Sequence, residues 1–202
     1  MAELRPALTL QKGDLRPGRL AIAREIQALL PAINNGPKPA IILPSHAGSV
    51  STDLIDNDLA LVRQQVGSDI LCLTLLSDVP LDRPLHINQN SLIGHWRWLR
   101  QVWSQLASDK SSPAILTPEL SAFANSAVAD KIATGHFNTA IAALRQQFNT
   151  LRGSEDTLQP PGARLSFIQN LTLFCPFIGT ELLYRLGHAP LGANRHAKDC
   201  EE

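Results

Sequence analysis

Apolar residues recur along this chain at two different rhythms. Between Asn90 and Asp109, Leu92, Trp96, Leu99, Trp103 and Leu106 fall at steps of four, three, four and three, with Arg97, Arg100, Gln101 and Ser104 on the other side. This is the stripe of an amphipathic helix packed along one face. The same spacing recurs over residues 19–33, through Leu20, Ala23, Ile26, Leu30 and Ile33, and again over 54–66, where Gly67 is the C-terminal cap. Thr117-Pro118-Glu119 opens another helix, with Thr as N-cap and Pro at the first helical position, and 137–151 carries Ile141, Leu144 and Phe148 as its stripe.

Two segments depart from that spacing. Residues 40–43 are a short aliphatic run ended by Pro44. Residues 69–76, DILCLTLL, are apolar nearly throughout, with Ile70, Cys72, Thr74 and Leu76 alternating against Leu71, Leu73 and Leu75. Both are expected to be buried strands, and 114–116 a short third one. Helices alternating with strands predict an α/β fold. The expected form is a small, mostly parallel sheet of about three strands, flanked by helices, with a helical C-terminal layer over 164–186.

Breakers set the organisation. Pro6, Gly13 and Pro17 mark residues 1–18 as an N-terminal arm; 19–186 form a single α/β domain, with 152–163 (RGSEDTLQPPGA) as a surface loop or linker; 187–202 form a flexible tail. The chain of 202 residues is long enough for one core.

Charge narrows the partners. Lys plus Arg equals Asp plus Glu, 18 against 18. A chain that grips a phosphate backbone usually carries a basic excess, so no nucleic acid partner is expected. Neutrality gives little colloidal repulsion, which favours another protein or self-association. No leader and no apolar run long enough to span a membrane is read, and Cys72, Cys175 and Cys200 are odd in number and far apart. A reducing cytoplasm suits them. No metal pattern and no cofactor motif is found.

Three places could carry chemistry. The first is PSHAGSVSTD, residues 44–53, which would lie beyond a strand end, where open α/β sheets bind ligands. Gly48, Ser49, Ser51 and Thr52 could hold a small anion such as phosphate or carboxylate, with His46 as acid or base and Ser45 beside it. The plainer account is helix capping by Ser51, Thr52 and Asp53. The second is GHWRWLRQVW. By the helical period Trp98 lies about 160° from Trp96, which puts Trp96 and Trp103 in the core and Trp98 at the edge with Arg97 and Gln101, an interface signature. His95 falls on the apolar side as a hydrogen-bonded core residue. The third is FCPFIGTE, where Cys175 would be the N-cap of a helix begun by Pro176; an inert buried thiol is the expected state.

Two functions follow. One is a soluble cytoplasmic protein-interaction or assembly/accessory protein using Trp98, Arg97 and Gln101. The other is a small α/β enzyme or ligand-binding protein acting on an anionic small molecule at the 45–53 loop. Every catalytic pattern tested is incomplete, which favours the first.

Overall fold

The computed structural model describes residues 16–34, 40–53, 59–107, 126–153 and 162–188. These fold mostly as helix, with one two-stranded parallel sheet. The short third strand expected at 114–116 and the opening at Thr117 lie outside the described residues.

Residues 69–76 are not a strand. They form the middle of helix α3 (Ser68–Ser77), and every side chain from Asp69 to Leu76 is buried. A segment that is apolar on all sides fits either period, because no face has to be kept polar. Its surroundings decide: α3 is wrapped by neighbouring helices on all sides, so no face reaches water. Thr74 tolerates this by donating its hydroxyl to the Ile70 carbonyl, 2.8 Å away. Gly67, at φ 85°, turns the chain from α2 (Leu59–Val66) into α3, a backbone angle that a side chain would strain.

The sheet is made by other residues. β1 (Val50–Thr52) pairs in parallel with β2 (Leu85–Ile87), Val50 opposite Leu85 and Thr52 opposite Ile87. Residues 40–43 join no strand; Ile41 and Ile42 are exposed. Ile42 is instead held by Gln27 of α1 (Arg16–Asn34), whose amide accepts from its backbone N–H and donates to its carbonyl, both at 3.1 Å.

One buried cation organises the approach to β2. Arg19 of α1 is fully buried and donates to five backbone carbonyls, those of Leu75, Val79, Pro80, Leu81 and Arg83, at 2.9–3.4 Å. Burial lowers its pKa and Asp82 raises it. The turn from α3 to β2 is thus wrapped around one guanidinium.

The remaining helices close the core. They are α4 (Gln89–Leu106), α5 (Ala127–Ala133), α6 (Phe137–Gly153), α7 (Ala163–Phe174) and α8 (Pro176–Arg185). α7 and α8 pack on α6, α1 and α3 around the same hydrophobic cluster, so the expected separate C-terminal layer is not seen. Phe137, Phe148, Phe167 and Phe174 are fully buried, each contributing roughly 1.5–3 kcal/mol of burial. Gly179 lets α8 approach α7 closely; a Cβ there would stand 2.6 Å from Thr172 Cα. Cys175 is the N-cap of α8 and is buried, with Pro176 at the first position. The α8 amides of Phe177 and Ile178 donate to the Asp69 carboxylate, a cap supplied from α3.

Of the proposed arm, residues 16–18 already belong to α1, and α6 continues into the proposed linker as far as Gly153. Among the described residues no helix is long and apolar enough to cross a membrane.

Candidate functional site

The outer face of α4 presents aromatic and cationic groups together. The helix starts where the Asn88 side chain accepts from the Ser91 amide, and it contains no carboxylate. Its buried residues are Leu92, His95, Trp98, Leu99, Val102 and Leu106. At the period of an α-helix, that arc is rotated by about 60° from the stripe of Leu92, Trp96, Leu99, Trp103 and Leu106. Trp98, placed at the edge by the sequence pattern, is therefore inside, and Trp96 is outside, 48% exposed. Trp98 meets Phe148 edge-on at 6.2 Å and lies 5.2 Å from the Arg145 guanidinium. Arg97 and Gln101 are exposed as expected, beside Trp96 and not beside an exposed Trp98.

Arginine covers tryptophan on this face twice. Arg100 sits 5.5 Å from the Trp96 ring, and Arg185 of α8 sits 4.7 Å from the half-buried Trp103 ring. Arg185 also pairs with Glu181 at 2.9 Å, and the neighbouring Tyr184 is 73% exposed. A guanidinium over an indole keeps both groups at the surface and available to a planar, anionic partner.

The other margin of α4 borders a cavity of about 270 Å³ between α3, α4 and α6, with polar side chains set in a partly apolar lining. Arg145 Nη2 donates to His95 Nδ1 at 2.8 Å. A guanidinium has no acceptor, so Nδ1 is the unprotonated nitrogen and the ring proton is on Nε2. Nε2 then donates to Ser77 Oγ at 3.1 Å, and Ser77 Oγ donates to Asp78 Oδ1 at 2.6 Å. Burial, and next the Arg145 charge, push the His95 pKa down to about 4 against the opposing pull of Asp78. The neutral ring is a fixed spacer between a cation and an anion. Burial lowers the Arg145 pKa as well, while Asp78 raises it. Arg145 Nε is buried without a hydrogen-bond partner, as is Trp98 Nε1.

The 44–53 segment folds back on its own protein. Ser49 accepts through its carbonyl from the Leu85 amide, and Gly48 donates to Leu81 at 2.9 Å. The close approach that Gly48 permits is to backbone: a Cβ would stand 2.1 Å from the Arg83 carbonyl carbon. Ser45 and His46 side chains meet at 3.1 Å in the open. Ser51 and Thr52 lie in β1, not at a helix start. Ser51 Oγ is 2.9 Å from His86 Nδ1, and His86 Nε2 is 3.1 Å from Asp53 Oδ2, with His86 and Asp53 side chains 52% and 67% exposed.

Sequence pattern singled out Arg97 and Gln101, which are exposed on α4, and did not single out Arg100, Arg145, Ser77 or Asp78, while it placed Trp96 in the core. The available signal was composition: α4 holds two arginines and no acid. Among the described residues no three His, Cys, Asp or Glu side chains are grouped to hold a metal ion.

The fold is a helical bundle carrying a small parallel sheet. Parts of the chain are similar to leucine–tRNA ligases: 29% identical over 127 residues to that of Mesoplasma florum, 28% over 142 to that of Rickettsia bellii, and 31% over 96 to that of Paramagnetospirillum magneticum. The matches take in 61%, 65% and 42% of this chain but only 16%, 17% and 11% of those proteins. The chain thus spans at most about a sixth of the length of these relatives. No family model matches it.

These likenesses correct two expectations. A protein-interaction or assembly/accessory protein, with a small enzyme for anionic substrates at residues 45–53 as alternative, does not stand, because the relatives are ligases named for leucine and tRNA. The exclusion of nucleic acid falls on the same finding. The charge of the whole chain does not exclude such a partner, since it sums to zero while α4 alone carries two arginines and no carboxylate.

Proposed function

We propose that this chain is an RNA-binding helical module allied to leucine–tRNA ligase, and that it holds tRNA across the outer face of α4 and the end of α8. The carrying observation is the pair of arginine-covered tryptophans, Trp96 with Arg100 and Trp103 with Arg185. RNA is recognised chiefly where bases are unstacked and can lie on aromatic rings or guanidinium planes, with arginines on the phosphates. Trp96 and Tyr184 offer exposed rings; Arg97, Arg100 and Arg185 offer the charge. The likeness to leucine–tRNA ligases supports tRNA as the RNA in question. Aminoacylation itself belongs to proteins several times longer and is not assigned to this segment.

Fluorescence anisotropy with labelled leucine tRNA tests this. Binding is expected at low salt and should weaken as salt rises, because arginine–phosphate contacts release counterions. Trp96→Ala with Arg100→Ala should weaken it about tenfold or more, base stacking being worth roughly 1–3 kcal/mol, and should leave the melting temperature near its original value. Binding that is absent at low salt, or indifferent to the double substitution, would overturn the proposal.

A further inference from the structure

We propose that the cavity between α3, α4 and α6 is a receptor for one unstacked guanine base, read by Asp78 and Arg145; this rests on RNA binding at the α4 face. Three observations carry it. The first is position. By the helical period Gly94 lies at one margin of the exposed arc of α4, with Trp96 at the other and Arg97 between. Gly94 lines the cavity mouth and is exposed, so a strand crossing α4 can lay one nucleotide on Trp96 and drop another past Gly94.

The second is the donor and acceptor set. Asp78 spends Oδ1 on Ser77 and keeps Oδ2, an acceptor at the rim. Arg145 spends Nη2 on His95 and its Nε–H is shielded from solvent, so it is Nη1 that it keeps as a donor at the cavity it lines. The carboxylate at the end of α3 and the guanidinium of α6 both line the cavity, spaced by Ser77 and a His95 that stays neutral. Guanine is the base that matches them, with two adjacent N–H donors on its Watson–Crick edge and the O6 and N7 acceptors that arginine reads. Adenine offers a single amino donor there and no O6. A free phosphate fits poorly, since Asp78 repels it. The third is size. About 270 Å³ falls just short of the roughly 300–1,000 Å³ of pockets for drug-sized molecules, which suits a single ring system, and Ile141 and Ala142 supply apolar wall. Asn138, half-buried at the same wall, adds an amide.

The experiment uses nine-nucleotide RNAs of uridine with one central guanosine, inosine or adenosine, against the whole protein. The guanosine RNA should bind about tenfold tighter than the adenosine RNA, within the 1–3 kcal/mol of one well-made base contact. Inosine, which lacks the 2-amino donor, should fall between. Asp78→Asn, a surface substitution that keeps the shape, should remove the preference while oligouridine affinity stays unchanged; Arg145→Lys should do so as well. Equal affinity for the three RNAs, or a preference that persists in Asp78→Asn, overturns the proposal. If the RNAs bind alike but weaken on Trp96→Ala, the α4 interface stands and the pocket assignment alone falls. If no RNA binds, GMP decides. A shift of the His95 ring signals by NMR with GMP, absent with AMP and in Asp78→Asn, keeps the pocket. No shift, an equal shift with AMP, or a shift with free leucine instead removes it.

Discussion

Two histidines in this molecule sit in nearly the same company and live in different media. His86 bridges Ser51 and Asp53 on the outer rim of the small sheet, its side chain 52% exposed. His95 bridges Arg145 and Ser77, with Asp78 one bond further on, and is 3% exposed. The second network fixes a protonation state, a neutral His95. In water the attraction between partners is screened and is set against side-chain ordering, so such contacts contribute little. Inside, each group that loses water must be matched by a partner. The presence of Ser, His and Asp together therefore says little about chemistry until the medium is known.

The largest expected effect extends the buried side of that comparison. Arg19→Met should destabilise the fold by about 3–5 kcal/mol, because it leaves buried carbonyls without a donor. Equilibrium urea unfolding measures it. Arg19→Lys should recover only part, since an ammonium cannot reach five carbonyls spread from Leu75 to Arg83. A loss below about 1 kcal/mol in Arg19→Met would show that water replaces the guanidinium and that the turn is not built on it.

Next in size is a pH dependence. An unfolded histidine titrates near 6.5, whereas folded His95 holds off its proton to about 4. Between those values the unfolded chain binds a proton that the native protein refuses. Stability from this residue is therefore complete above about pH 6.5, declines as pH falls toward 4, and does not change further below. The full span is about 3 kcal/mol. His95→Gln can still accept from Arg145 and donate to Ser77, so it should keep most of the neutral-pH stability and flatten the slope over pH 4–6.5. Parallel pH profiles for the two proteins would place His95 in water after all.

How much of this was legible beforehand follows from which partners are local. The α4 helix could be read because its four-three spacing is contained in one segment. Its phase could not. His95 was read on the apolar side, and Arg145, 50 residues later, with Ser77, 18 residues earlier, satisfies its imidazole there. Trp98 was read at the edge, and it packs inward against Phe148 and Arg145, partners that no local spacing reveals. The strand expected at 69–76 failed for a related reason. A segment buried on every side has no polar face to reveal its period, and its one acid, Asp69, caps a helix more than 100 residues away. Cys175 was read correctly at an N-cap because Pro176 signals that start by itself. Gly48 was expected to help hold a small anion; the group packed against it is the Arg83 backbone, a long-range neighbour that no local pattern could name.

A third substitution separates packing from charge within the buried network. Arg145→Met keeps a long chain over Trp98 while removing the donor to His95 Nδ1. The expected loss is about 2 kcal/mol, the cost of an unpartnered buried acceptor. The charge that repels a second proton on His95 also goes, so the His95 titration midpoint, followed by NMR, should rise from about 4 yet stay below 6.5, since burial is the larger cause of its depression. A midpoint unchanged at about 4 would assign the whole depression to burial.

The smallest effect is expected at the exposed histidine. His86→Ala removes both side-chain partners of the rim network, yet the backbone ladder that pairs β1 with β2 does not use the ring. Its neighbours Ser51 and Asp53 are exposed and turn to water. The loss should stay below about 0.5 kcal/mol, within the range of surface substitutions. A loss as large as that of Arg145→Met would mean that Ser51, His86 and Asp53 are shielded in the folded protein. The contrast between rim and interior would then fail, and with it the reason for seeking a ligand at Asp78 and Arg145 in preference to the sheet.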